Sequence, residues 1–143
     1  MVKAPTLEDE HFQKDILVGV SRTFALTIPQ LPPLLERAVA NAYLLCRIQD
    51  TIEDDPDMPL HEKSDYSTRF VSTITGDGDA QHFSEALSKN LSSKTLRDEI
   101  KLVESTERVT RITHDLKPVQ RNAITRCVSK MAKGMMLYQE QET

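Results

Sequence analysis

Apolar positions along the chain recur at three- and four-residue spacing and nowhere alternate over a useful length, so the pattern predicts helices throughout. Phe12, Ile16, Leu17 and Val20 fall on one side of a helix predicted over residues 8–20. Residues 21–28 mix apolar and polar side chains, end at Pro29 and have no hairpin partner; they read as a short helix or an irregular joint. Pro32 and Pro33 mark a break, and Pro33 suits the opening turn of the next helix. That helix, over residues 34–54, is rich in Leu, Ala, Arg and Glu, all good helix formers. It stops before Pro56, whose ring disfavours helical geometry in the residue ahead of it. After the loop 55–59, a helix is predicted over 60–74, a turn at Gly76-Asp77-Gly78-Asp79, and a short helix over 83–87. Ser92 or Ser93 is placed to cap a single helix running to Ile112. Pro118 opens a last helix whose apolar stripe is Ile124, Val128, Met131, Met135 and Tyr138. The expectation is an all-α chain of about six or seven helices. The last helix runs out in the polar stretch 139–143 without a Gly or Pro stop, as a frayed terminus or a chain cut from a longer protein would.

Composition narrows the class. A chain of 143 residues, 38% hydrophobic with only four Gly, is long enough for one domain with a buried core and excludes collagen-like and low-complexity types. With 18 Lys+Arg against 22 Asp+Glu the net charge is −4, which argues against a nucleic-acid partner. No apolar run approaches the roughly 20 residues of a membrane span. Lys3 has no apolar core behind it, so the first residues do not read as a signal peptide. Cys46 and Cys127, the two cysteines, lie in apolar helical patterns and read as reduced thiols in a cytoplasmic compartment. The four His are scattered, and no HExxH, CxxC, P-loop or GxGxxG pattern occurs.

Chemistry concentrates on the 34–54 helix. At about 100° per residue, Arg47, Asp50 and Asp54 fall within roughly 40° of Tyr43, on one narrow stripe. Leu44, Leu45, Ile48 and Ile52 lie on the other side, as a core face would. Glu53, Asp54, Asp55 and Asp57 crowd the helix C-terminus, where the helix dipole is negative and acids cost about 0.3–1 kcal/mol each. Asp50 and Asp54, four apart, can share a hard divalent cation with phosphate oxygens, and Arg47 can grip the same phosphates. A merely solvated acidic helix end is the alternative. Ser21-Arg22-Thr23-Phe24 can present donors to an anion or serve as a helix cap beside a surface Arg. Met131-Ala132-Lys133-Gly134-Met135-Met136 can line an adaptable apolar channel or pack in an ordinary core.

Ser21-Arg22-Thr23-Phe24-Ala25, followed by Tyr43-Leu44-Leu45-Cys46-Arg47-Ile48-Gln49-Asp50-Thr51-Ile52-Glu53-Asp54-Asp55-Pro56, resembles the squalene/phytoene synthase family. The wording Asp-Thr-Ile-Glu-Asp-Asp is closer to the squalene-forming branch, and residues 131–136 resemble a Met/Gly segment of that family's hydrocarbon channel. The resemblance implies an all-α isoprenoid (terpenoid) synthase helical fold, with residues 1–143 forming the N-terminal half of a single domain. It implies Mg²⁺-dependent head-to-head joining of two farnesyl diphosphates, through presqualene diphosphate, and reduction by NADPH to squalene.

Carried onto this chain, the resemblance makes Asp50, Glu53 and Asp54 the metal-binding acids, with Asp55 in support. Tyr43 stands at the reacting centre with Asp50 and Asp54. Ser21, Arg22, Thr23 and Arg47 hold the diphosphate, and Phe24, Met131 and Met135 border the prenyl chain. A second aspartate-rich helix and an NADPH region do not appear in these residues, which points to a missing C-terminal half or to self-association through an exposed apolar face. An oily product favours a peripheral membrane contact. The alternatives are a non-catalytic helical module or assembly factor of the same family, or phytoene or dehydrosqualene synthesis.

Overall fold

The structure is a computed structural model, and it describes residues 4–142, without the side chains of Arg22 and Glu142. The elements are α1 (Leu7–Val20), α2 (Arg22–Thr27), a single 3-10 turn (Ile28–Gln30), α3 (Pro33–Glu53), α4 (Leu60–Thr75), α5 (Ala80–Asn90), α6 (Arg97–Glu104), α7 (Thr106–Asp115) and α8 (Pro118–Glu142). The described residues contain no strand. Among the described residues no helix is long and apolar enough to cross a membrane.

Local chemistry sets the helix ends. Thr6 and Asp9 form a reciprocal capping box at α1: the Thr6 hydroxyl accepts from Asp9 N at 3.2 Å and the Asp9 carboxylate from Thr6 N at 3.0 Å. Asp79 accepts from His82 N at 3.1 Å to open α5. Gly76 ends α4 at φ 97°, a left-handed geometry that side chains resist.

α3 is the hub. Leu44, Leu45, Ile48 and Ile52 are all fully buried, as the face opposite the polar stripe should be. Around them pack Phe70 and Ile74 of α4, Phe83 and Leu87 of α5, Leu102 and Val103 of α6, Val109 of α7 and Val128 of α8. Each such side chain contributes about 1.5–3 kcal/mol by leaving water. A polar seam crosses the same interior. Asn41 of α3 accepts from Gln13 of α1 at 3.3 Å and donates to the Val109 carbonyl of α7 at 3.3 Å. Asp9 accepts a forked pair from Arg111 Nε and Nη2 at 2.8 and 2.9 Å.

Several expectations are corrected. The single helix predicted to run to Ile112 is two, α6 and α7, broken at Ser105 with φ −106° and ψ 19°. Leu102 and Val103 before the break and Thr106, Val109, Thr110 and Thr113 after it stay on one buried face, so periodicity could not reveal it. Ser92 caps no helix there: its N–H donates to Asp55 at 2.8 Å and its hydroxyl to Asp57. The short helix at 83–87 is longer, Ala80–Asn90, because Asp79 caps it ahead of its first apolar residue. Tyr138, placed on the apolar stripe of the last helix, is 61% exposed. α8 packs against α3 and α4 through Val128, Ala132 and Met136, which turns Tyr138 outward. The described residues hold eight α-helices and the 3-10 turn, more than expected from the pattern.

Candidate functional site

Pro33 starts α3 and α3 carries Tyr43, Arg47 and Asp50 before ending at Glu53, with Asp54 as its C-terminal cap residue. Tyr43, Arg47, Asp50 and Glu53 are half-buried and Asp54 is exposed. The joint from α1 to α2 approaches this stripe. Ser21 caps α2 by accepting from Phe24 N at 3.3 Å, which uses a lone pair and leaves its O–H available as a donor. Phe24 then lays its ring against Tyr43, with centroids 4.7 Å apart and planes tilted by 44°. Thr23 is exposed beside it, and its carbonyl accepts from the Thr27 hydroxyl at 3.2 Å. Arg22 lies in α2, and its side chain is outside the described residues.

Charge at the end of α3 is poorly compensated. Burial, and then the neighbouring charge of Asp54, push the Asp50 carboxyl above the usual range, while Arg47 pulls the other way. Burial and Asp54 also raise Glu53, against a bond from Gln139 and the charge of Lys63. The Glu53 carbonyl accepts from Gln139 Nε2 at 3.0 Å and from Lys63 Nζ, which ties α8 and α4 to this end of α3. Arg47 spends Nη2 on the Glu99 carboxylate of α6. Cys46, on the flank of the stripe, has its thiol pushed up to about 11 by burial, with Cys127 and Asp50 adding to it; both cysteines are free.

Two acids one turn apart, one of them with its pKa raised by burial and by the charge of the other, and with the nearest guanidinium tied elsewhere, are a donor set that suits a hard divalent cation. Mg²⁺ is held by one or two carboxylates, with water and phosphate oxygens completing its shell. Among the described residues no three His, Cys, Asp or Glu side chains converge as a metal cage, so Asp50 and Asp54 alone would not enclose a cation. Asp55 stands apart from this stripe. It is buried, and its two oxygens accept from Asp57 N at 2.9 Å and Ser92 N at 2.8 Å, clamping the loop after α3 to the loop after α5.

Met131 and Met135 are half-buried on α8. A hollow between α4 and α8 is lined by Met136, Ala132 and Leu137 with Ser67 and Val71, and neither Met131 nor Met135 reaches it. A Cβ added at Gly134 would meet nothing within 4 Å, so no close packing within this chain demands that glycine. The hollow between α4 and α8 and four other surface hollows among the described residues are not lined by Tyr43, Arg47, Asp50 or Asp54. Glu99 is the site neighbour that sequence reasoning missed. Its only signal was its place among the acids opening α6, and nothing in the pattern pairs it with Arg47, 52 residues away.

Comparison with known proteins bears on this arrangement. The squalene/phytoene synthase family profile matches residues 17–143. Squalene synthase BSS of Botryococcus braunii is 30% identical over 131 residues, covering 92% of this chain and 26% of the relative. Squalene synthase of Schizosaccharomyces pombe is 32% identical over 137 residues, covering 92% of this chain and 28% of the relative. The solved complex of TcSQS with the ligand BPH1237 superposes with a TM-score of 0.74 at 29% identity, covering 92% of this chain and 36% of that one. The chain thus spans about a quarter of the length of these curated relatives. A helical fold built around α3, the Ser21–Phe24 joint set against Tyr43, and a match over nearly the whole sequence agree, and the chain belongs to the squalene/phytoene synthase family.

Proposed function

We propose that this chain supplies one diphosphate-binding side of an enzyme that joins two farnesyl diphosphates head to head, through presqualene diphosphate, to squalene. The observation that carries the reading is the Phe24–Tyr43 ring contact. It brings two sequence-distant segments together, so that the joint carrying Ser21 and Thr23 meets the helix that carries Arg47, Asp50 and Asp54.

Asp50 and Asp54 would hold Mg²⁺, with Glu53 beside them; the bound ion supplies positive charge against a diphosphate. Ser21 and Thr23 would donate hydroxyl hydrogens to diphosphate oxygens, and Arg22 and Arg47 would add charge-assisted N–H bonds. These contacts strengthen as the carbon–oxygen bond breaks and its electron pair leaves with the diphosphate. The allylic cation left behind needs an electron-rich, water-poor surface, which the faces of Phe24 and Tyr43 would provide. The double bond of the second molecule attacks that cation, and loss of a proton closes the cyclopropane of presqualene diphosphate. The Tyr43 hydroxyl would take part in that proton movement. Met131 and Met135 would border the hydrocarbon. Squalene then requires a second ionisation and a hydride from NADPH, for which these residues provide no recognisable site.

Calorimetry with farnesyl diphosphate tests the reading on this chain directly. Saturable binding that needs Mg²⁺, and that weakens by roughly tenfold or more in Asp50→Asn and in Asp54→Asn, is the expected result. Binding indifferent to Mg²⁺, or unaltered in both variants, overturns it. Product analysis with and without NADPH separates squalene formation from condensation of the phytoene or dehydrosqualene type.

A further inference from the structure

Arg47 is the one basic side chain on the stripe that carries Tyr43, Asp50 and Asp54. Its Nη2 donates to Oε1 of Glu99, in the first turn of α6. The two side chains keep only 25% and 19% of their exposure, so solvent screens the pair weakly and one geometry is held. The grip is nevertheless incomplete. Arg111 meets Asp9 with both Nε and Nη2, a forked and fully used pair. Arg47 meets Glu99 through Nη2 alone, and its Nε is buried with no hydrogen-bond partner. A buried donor without an acceptor is costly, and a guanidinium placed to serve structure alone would have both edges engaged.

Glu99 is itself well located. Asp98, next to it, lies over Gly19 of α1, where an added Cβ would come within 2.7 Å of the Asp98 carboxyl carbon. Gly19 stands two residues before Ser21. The turn that carries Glu99 is therefore packed against the segment leading into the Ser21–Phe24 joint.

We propose that Glu99 is a positioning residue for anion recognition: it holds the Arg47 guanidinium at the α3 stripe, so that the N–H groups it does not use meet a diphosphate. The assignment rests on the reading of that stripe as a diphosphate site. Glu99 acts by removing rotamer freedom from a long side chain before the ligand arrives, which lowers the entropy lost on binding. It also keeps the guanidinium from folding down onto Asp50, one turn away on the same helix face.

The test is calorimetry of farnesyl diphosphate with Mg²⁺ on the wild type, Glu99→Ala, Glu99→Gln, Arg47→Ala and the double variant Glu99→Ala/Arg47→Ala. Melting curves on each confirm the fold. Glu99→Ala is expected to bind roughly five- to tenfold more weakly, as loss of one charge-assisted contact implies. Glu99→Gln keeps an acceptor oxygen and is expected to restore most of the affinity, and it serves if the alanine variant does not fold. In the Arg47→Ala background the Glu99→Ala change is expected to have no further effect. Unchanged or tighter binding in Glu99→Ala makes Glu99 a competitor or a bystander and overturns the assignment. An equal loss in both backgrounds overturns it too, since Glu99 would not be acting through Arg47. A wild type that binds nothing fails the site reading itself and takes this assignment with it, a pattern distinct from the other two.

Discussion

Asp9 and Asp50 are both aspartates withdrawn from water in the helical interior, and they end in opposite electrostatic states. Asp9, in the first turn of α1, is almost fully buried, yet the forked bond from Arg111 holds its pKa down at about 2, with the Thr6 N–H and the charges of Arg111 and Arg108 adding to it. Asp50 is less buried but has no such partner, and burial and Asp54 push its pKa up. The first acid is balanced from within the chain. The second is left unbalanced by a fold that had arginine to spend, for Arg47 one turn away is committed to Glu99. An unbalanced charge lowers folding stability, a cost that the cation proposed above would offset.

The sharpest way to break that contrast is to unbalance Asp9. Arg111→Ala leaves a buried carboxylate without its main partner and is expected to cost about 3–5 kcal/mol, read from urea unfolding. A loss near zero would mean that Asp9 was never the balanced member of the comparison. Asp50→Asn runs the other way. Without ligand it removes a repelling charge from the negative end of a helix and is expected to stabilise the chain by about 0.3–1 kcal/mol, even as it removes Mg²⁺-dependent binding. A clear destabilisation by Asp50→Asn would show that the carboxylate is already satisfied.

Acid titration separates the two aspartates with smaller effects. The folded pKa of Asp9 lies below its ordinary value, so the stability it adds is present above about pH 4 and is lost as pH falls towards about 2. The folded pKa of Asp50 lies above its ordinary value, so ionised Asp50 costs stability above that pKa and the cost disappears as pH falls through it. The stability gap between wild type and Asp50→Asn is therefore expected to close on mild acidification, before the acid loss from Asp9 begins. Urea midpoints across that range check the order, and a gap that widens on acidification contradicts the assigned directions.

The contrast also explains what could be read in advance. The α3 stripe was legible because helix geometry is local: the positions of Tyr43, Arg47, Asp50 and Asp54 on one face follow from their spacing, and the buried Leu44, Leu45, Ile48 and Ile52 follow from the same count. The break at Ser105 was not legible, because the buried face continues through it without a change of register. Nor was the outward turn of Tyr138, since the apolar count of α8 fits more than one face and packing on α3 and α4 chose between them.

From its own spacing the sequence determined the all-helical build, the acidic edge of α3 and the Ser21 cap that begins α2, because each depends on neighbours within a few residues. Tertiary structure alone decided where the charges are spent. Arg111 reaches Asp9 across 102 residues, Glu99 takes Arg47 across 52, and Asp55 anchors Ser92 across 37. Coulomb energy and hydrogen bonding depend on distance through space, and these partners have no regular spacing along the chain.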